Sequence, residues 1–194
     1  MKRGFLFYIG ATAALFILLA ACNQKPEQEA KPAMTQEEMI ARGDYLVSTI
    51  GCDDCHTPKV MGPKGPEFDM SRRFMGYPAD QELPPIDESV LPNWALFNHE
   101  LTAAVGPWGV SFSANITSDE TGIGTWSYEQ FERAMRQGLY KGMEGSRPLL
   151  PPMPWQNFAK LSDEDLRAMF AFLKSTTPIR NVVPANIPPA APGN

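Results

Sequence analysis

The chain has 194 residues, of which 43% are hydrophobic and 20% are charged, and its formal net charge is −5 at pH 7. This length and this mixture suit a single globular domain with a core of its own. An acidic chain argues against nucleic-acid binding, which normally requires a basic face, and no period typical of a repeat array is visible.

Residues 1–22 are predicted to be an export signal. Lys2 and Arg3 supply a positive start, a run of 17 apolar residues follows from Phe5 to Ala21, and small residues precede Cys22. The segment resembles a bacterial lipoprotein signal, so Cys22 is expected to be lipidated and to become the new amino terminus. The alternative is an uncleaved membrane anchor, but such a run spans only about 26 Å as a helix, which is marginal for a bilayer core. Both interpretations place the remaining chain outside the cytoplasm.

Residues 23–34 are polar and lack an apolar period, so they are predicted to be a flexible tether. The domain that follows is expected to cover residues 35–184. Removal of residues 1–21 takes away two positive charges and changes the net charge from −5 to −7.

The first predicted helix begins at Thr35, which forms a capping box with Glu38. Gly43 lies within its apolar stripe. Glycine in a helix interior lowers helix stability by about 1 kcal/mol relative to alanine. Its presence here therefore predicts that another helix approaches closely. Gly51 is expected to end the helix just before Cys52. The apolar stripe is predicted to consist of Met39, Ile40, Leu46, Val47 and Ile50.

The next five residues, Cys52-Asp53-Asp54-Cys55-His56, are typical of an attachment site for c-type haem. One short turn lets both sulfurs form thioethers with the vinyl groups of a porphyrin, and the histidine that follows can bind the iron. Two alternatives are weaker. A thioredoxin-like cysteine pair needs a preceding strand, and no strand pattern precedes Cys52. A zinc site needs a second pair of ligands, and only His99 and Cys22 remain.

This interpretation accounts for all three cysteines. Cys22 takes the lipid, and Cys52 and Cys55 take the haem, so none is left for a disulfide.

Residues 57–114 are predicted to form a long loop, because eight prolines interrupt them. A short helical turn is expected near Asn93–His99. The loop is predicted to shield the haem edge from water. Its aromatic residues are expected to form an apolar wall or to fill the core: Trp94, Phe97, Trp108 and Phe112.

Two further helices are predicted in the second half of the chain. Ser127 caps one of them, which Gly138 closes, and Ser162 caps the other, which ends at Thr177-Pro178. Residues 185–194 form a proline-rich tail that is expected to be extended or loose. The buried faces are predicted to be Phe131, Ala134 and Met135 in the first helix and Leu166, Met169, Phe170 and Leu173 in the second.

Iron bound by His56 needs a second axial ligand or keeps an open position. Met153 is the favoured ligand, because the prolines make Pro151-Pro152-Met153-Pro154 a stiff loop. Such a loop loses little conformational entropy when its weakly binding thioether is fixed on iron. Met143 is a distant second choice, and His99 is expected to lie on the surface. A His/Met pair leaves no vacant position and raises the reduction potential, which suits one-electron transfer.

These motifs together resemble the class I cytochrome c family, and more narrowly the c-type cytochromes related to cytochrome subunits of bacterial membrane-bound dehydrogenases. The resemblance covers residues 36–184 and implies an all-α fold in which the first and last helices cross near Gly43, with His56 and Met153 as axial ligands. Some relatives carry two or three haem motifs, whereas this sequence has one, which favours a single-haem shuttle. The resemblance rests on Cys52–Pro58, Asn115–Asp119, Gly122–Trp126 and Pro152–Trp155.

The sequence therefore predicts an electron carrier with one covalent haem c, anchored to a membrane by the lipid on Cys22 and facing the periplasm or the cell exterior. A dehydrogenase or a quinol-oxidising complex would reduce it, an oxidase or another cytochrome would reoxidise it, and it would catalyse nothing alone. Three alternatives stay open: a bound subunit of one complex, a haem enzyme or gas sensor with an open iron position, and a thiol-disulfide oxidoreductase without haem.

Overall fold

A computed structural model describes residues 33–189 of the chain apart from Glu88 and Pro92. The predicted export signal with Cys22, most of the predicted tether and the last residues of the tail lie outside the described residues. In the part of the chain that the structure describes, every helix is too short or too polar to cross a membrane.

The described residues form five α-helices and five short β-strands. The helices are α1 (Gln36–Thr49), α2 (Cys52–His56), α3 (Tyr128–Gln137), α4 (Trp155–Phe158) and α5 (Asp163–Ser175). Two strands form an antiparallel hairpin: β1 (Lys59–Gly62) and β2 (Gly65–Phe68). Three more form an antiparallel sheet in the order β3-β4-β5: β3 (Leu96–Phe97), β4 (Ala103–Gly106) and β5 (Gly109–Phe112). Single turns of 3₁₀ helix occur at Met70–Arg72 and Tyr140–Gly142.

The longer helices begin at the predicted caps. The hydroxyl of Thr35 accepts from the backbone N–H of Glu38 (3.2 Å), and the Glu38 carboxylate accepts from the Thr35 N–H (2.8 Å). Ser127 and Ser162 accept in the same way from the N–H three residues further on, at 3.2 and 3.1 Å. Each cap satisfies a donor that the helix leaves unpaired. Gly138 closes α3 in the left-handed conformation (φ 65°).

Helices α1 and α5 cross at Gly43, as predicted. A Cβ atom on Gly43 would stand 2.0 Å from the carbonyl oxygen of Ala168, so a residue with a side chain would force the helices apart. An ion pair between Arg42 and Asp165 (2.8 Å) lies beside the crossing. The core around these helices consists of Leu46, Val47, Phe74, Ile123, Phe131, Met135, Phe158, Leu166, Met169, Phe172 and Leu173.

The prediction of an all-α fold is wrong, because the segment between α2 and α3 contains two antiparallel sheets. Each hairpin turns on a sequence of the form Gly-Pro-x-Gly, at Gly62–Gly65 and at Gly106–Gly109, and the paired strands begin and end at these glycines. The prolines do prevent a helix here. Glycine and proline are also the usual residues of tight turns, so the same pattern is compatible with short strands.

Two smaller expectations for this segment are also corrected. The helical turn expected near Asn93–His99 is instead the edge strand β3. Trp94 and Phe97, expected either to form an apolar wall at the haem edge or to fill the core, are 65% and 46% exposed, so they do not fill the core. Phe112 is half-buried and packs against the ring of Tyr77, with ring centroids 4.7 Å apart.

The segment after α5 is extended, and side chains and backbone bonds fix it in place. Asn181 is only 5% exposed. Further on, the backbone of Ile187 exchanges two hydrogen bonds with Val110 of β5 (2.8 and 3.0 Å). The start of the predicted proline-rich tail therefore pairs with the three-stranded sheet.

Candidate haem site

Helix α2 carries the three residues predicted to hold haem in one short turn. Gly51 adopts the left-handed conformation (φ 83°), which ends the path of α1 and starts a new turn. Cys52 and Cys55 are three residues apart and therefore lie on the same side of this turn. Neither forms a disulfide. His56 is the last residue of the helix. Five consecutive residues thus present two free thiols and an imidazole.

One hydrogen bond fixes the imidazole of His56. Its Nδ1 atom lies 2.7 Å from the carbonyl oxygen of Ala114. Because a carbonyl oxygen only accepts, Nδ1 carries the ring proton and Nε2 presents its lone pair. Burial lowers the pKa of His56, and the hydrogen bond to Ala114 partly opposes this shift. A neutral imidazole with Nε2 free is the form that binds iron.

The two thiols are neutral near pH 7. Burial raises the pKa of Cys52 to about 12, and the neighbouring carboxylates add to the effect. Burial also raises the pKa of Cys55 above its usual value. Thiol-disulfide exchange requires a thiolate, so these pKa shifts disfavour the oxidoreductase alternative.

Asp53, between the two cysteines, holds α2 to the rest of the fold. This carboxylate is 6% exposed. It accepts two parallel hydrogen bonds from Arg73, at 3.0 and 2.8 Å, and a third from the hydroxyl of Thr57 at 2.7 Å. The guanidinium also stacks on the ring of Phe74, 4.3 Å from its centroid. No local sequence signal predicts this contact, because Arg73 reaches Asp53 only through the folding of the intervening hairpin.

Lys59 holds the end of α2. Its ammonium group donates to the carbonyl oxygens of Asp54 (2.6 Å) and Glu100 (2.8 Å). A positive charge at this end of a helix is favourable, because the last carbonyl groups have no partner within the helix. The helix is therefore fixed both at its centre and at its end.

Met153 lies on a loop that reaches the same core as Cys52. Both side chains are partly buried against the core cluster. The hydroxyl of Ser111 donates to the Pro151 carbonyl oxygen (2.6 Å), which ties the loop to β5. A cavity of about 230 Å³ lies beside Met153, and Trp155 and the prolines of the loop line it.

The other candidate ligands are more exposed. Met143 is 48% exposed and the side chain of His99 is 76% exposed, so His99 lies on the surface, as expected. The residues present thus fit a covalently attached haem: α2 supplies two neutral thiols and a histidine with a free Nε2 atom, and Met153 packs on the same core as Cys52.

Comparison with known proteins agrees with this fit. The chain is 41% identical over 173 residues to the cytochrome c subunit of alcohol dehydrogenase (quinone) from Gluconobacter oxydans. It is 30% identical over 145 residues to the cytochrome c subunit of gluconate 2-dehydrogenase from Pantoea cypripedii. The two matches cover 89% and 74% of the chain. The chain is a homologue of dehydrogenase cytochrome c subunits.

This cytochrome c homologue also matches a nicotinate dehydrogenase subunit from Pseudomonas putida, with 47% identity over 81 residues, or 41% of the chain. No family model matches it. The homologue spans about a quarter of the two cytochrome subunits, 27% and 24%, and 7% of the nicotinate dehydrogenase subunit. The names of these relatives confirm the predicted resemblance. They support electron transfer through haem as the general function, rather than catalysis by the chain alone.

Proposed function

We propose that this cytochrome c homologue carries single electrons through one haem c, joined to Cys52 and Cys55 and ligated by His56 and Met153. The observation that supports this most is the hydrogen bond from His56 Nδ1 to the Ala114 carbonyl oxygen (2.7 Å). It leaves Nε2 free to bind iron on the residue that directly follows two free, uncharged thiols. When bound, haem supplies an iron that alternates between the ferric and the ferrous state.

The two side chains that would hold the iron would have different tasks. His56 is oriented by Ala114 and offers a nitrogen made more basic by that hydrogen bond. Met153 offers a neutral sulfur, which favours ferrous iron and raises the reduction potential. With both side chains bound, no coordination position would be left for oxygen or peroxide, so the group would supply one-electron transfer rather than activation of a substrate.

The proposed location rests on the sequence alone, and the proposed partners rest on the sequence and on the names of the relatives. Relatives are named as cytochrome subunits of alcohol and gluconate dehydrogenases, so we propose a dehydrogenase as electron donor, with a quinol-oxidising complex as the alternative donor. An oxidase or another cytochrome would accept the electron. A lipid on Cys22 would hold the protein at a membrane, facing the periplasm or the cell exterior. Cys22→Ser should abolish the lipid mass on the mature protein.

The test is an optical spectrum of the purified, matured protein in both oxidation states, with haem quantified per chain. We expect one covalent haem per chain and a low-spin ferrous spectrum that carbon monoxide does not change. An immediate change with carbon monoxide would establish the alternative, a haem enzyme or gas sensor with an open iron position. A mass spectrum without a haem adduct would overturn the proposal.

Replacement of Met153 by alanine tests the second ligand. Met153→Ala should abolish the charge-transfer band between ferric iron and a thioether sulfur, and it should open the iron to carbon monoxide. Met143→Ala is the matched control, because it also removes one thioether but from a side chain that is 48% exposed. Loss of the band in the control and its survival in Met153→Ala would assign the ligand to Met143.

A further inference from the structure

The carbonyl group that fixes the His56 ring is itself held by residues 74–77. Two backbone hydrogen bonds of 2.9 Å join this segment to residues 113–116 and lie on either side of Ala114. Gly76 lies directly against that carbonyl group, since a Cβ atom on it would stand 2.5 Å from the Ala114 oxygen. The position of the acceptor therefore depends on the path of residues 74–77, which we call the bracket.

The bracket also holds the backbone of the histidine. Gly76 donates its N–H to the carbonyl oxygen of His56 (2.8 Å), and Phe74 donates its N–H to the hydroxyl of Thr57 (3.1 Å). The same four residues thus contact the backbone of His56 and the acceptor of its ring proton. A small shift of the bracket changes the geometry of the ring hydrogen bond.

Asn181 holds the bracket from its other side. Its side-chain amide donates to the carbonyl oxygens of Met75 (2.6 Å) and Tyr77 (2.9 Å). Its side-chain oxygen accepts from the N–H of Ala79 (2.9 Å). The residue is 5% exposed, and both of its donors and its acceptor are used. A buried polar network that is fully satisfied in this way is rigid.

We infer that Asn181 is a positioning residue for the axial histidine: by fixing the bracket, it sets the hydrogen bond between His56 and Ala114. This inference rests on the proposed haem function. The hydrogen bond pulls the ring proton toward the carbonyl oxygen and thereby makes Nε2 more basic. A looser bracket weakens that bond, which makes Nε2 a poorer donor to ferric iron and changes the orientation of the ring.

Two substitutions test the inference on the matured protein. Asn181→Leu keeps nearly the same size but removes both donors and the acceptor, and Asn181→Ser shortens the side chain; neither substitution adds a charge, which would shift the potential by itself. Ser162→Ala is the control, because it lowers stability by removing the cap of α5 without touching the bracket. The readouts are the midpoint reduction potential, the proton NMR shifts of the ferric haem methyl groups, which depend on axial ring orientation, and the thermal unfolding temperature.

We expect both Asn181 variants to shift the midpoint potential upward and to rearrange the haem methyl resonances. Ser162→Ala should lower the unfolding temperature and leave the potential and the resonances as in the unsubstituted protein. Asn181 variants that lose stability but keep the original potential and resonances would show that the residue is only structural, and would overturn the inference.

Hydrogen exchange at the Gly76 amide is a second measurement, made on the matured, haem-bearing protein. The exchange should be faster in both Asn181 variants than in Ser162→Ala, and equal rates would overturn the inference. An unsubstituted protein that carries no haem would instead overturn the proposed function. A haem-bearing protein with unshifted Asn181 variants overturns only the role of Asn181.

Discussion

Two aspartates lie between the cysteines of α2, and the fold treats them differently. Asp53 is buried and accepts hydrogen bonds from Arg73 and Thr57, whereas the side chain of Asp54 is exposed. The haem motif prescribes neither residue, so the sequence does not predict the difference. The difference arises because the chain returns to α2 after the β1–β2 hairpin and places the guanidinium group of Arg73 against Asp53.

Asp53→Asn should lower the free energy of unfolding by about 2 kcal/mol, because it removes the buried carboxylate that binds Arg73 and leaves only the longer, more exposed ion pair with Asp44 (3.6 Å). Denaturant unfolding followed by circular dichroism measures the effect. Asp54→Asn is the matched control on the adjacent residue, and we expect it to change stability by less than about 0.5 kcal/mol. Equal effects of the two substitutions would contradict the role assigned to Asp53.

At the scale of elements, the three longer helices were predictable, whereas α4 and the strands were not. Thr35, Ser127 and Ser162 are local signals, since each cap and its partner lie within one turn. The hairpins depend on pairing between short strands that have little hydrophobic alternation of their own. Gly-Pro-x-Gly is compatible with a turn in a loop as well as with a hairpin, so the local sequence does not distinguish the two structures.

Gly43→Ala should destabilise the protein by roughly 2 kcal/mol or more, although alanine favours a helix. The new Cβ atom would overlap the Ala168 carbonyl group and push α1 from α5, and this overpacking outweighs a propensity gain of about 1 kcal/mol. Ala41→Gly, at an exposed position of the same helix, is the converse control. It should lower the free energy of unfolding only by the difference in helix propensity, about 1 kcal/mol. Thermal unfolding compares the two. A stabilised Gly43→Ala would contradict the close crossing.

At the scale of the whole molecule, the proposed haem residues can be read from the sequence, whereas the contacts that hold them cannot. Cys52, Cys55 and His56 are recognisable because one turn of chain contains the motif. Ala114 and Asn181 contribute through a backbone carbonyl and a side-chain amide that only the fold brings near His56. No spacing rule connects such distant residues, and each is an ordinary residue type.

The stability of the molecule should fall in acid. Asp69, Asp87 and Asp119 have pKa values below the ordinary 3.8, because the side chain two residues further on donates a hydrogen bond to each carboxylate. A group with a lowered pKa binds fewer protons in the folded chain than in the unfolded chain. It therefore stabilises the fold above about pH 4, and this contribution is lost as the pH falls through that region.

We expect the urea midpoint to fall slightly from pH 7 to pH 6, because the lowered pKa of His56 makes the unfolded chain bind more protons there, and to fall further by pH 3. Asp119→Asn should reduce the difference between pH 6 and pH 3, because it removes one of the titrating groups. A midpoint that rises on acidification would contradict the direction of these pKa shifts.

The long separation between His56 and Asn181 also has a consequence for the order of assembly. The predicted export signal stands at the amino terminus, so the two thiols of α2 would cross the membrane well before the segment that secures the bracket. In that interval the surroundings of α2 would be incomplete, and an enzyme that installs a large planar group would meet less obstruction. The direction of export would thus separate the moment of cofactor insertion from the moment at which the fold closes around it.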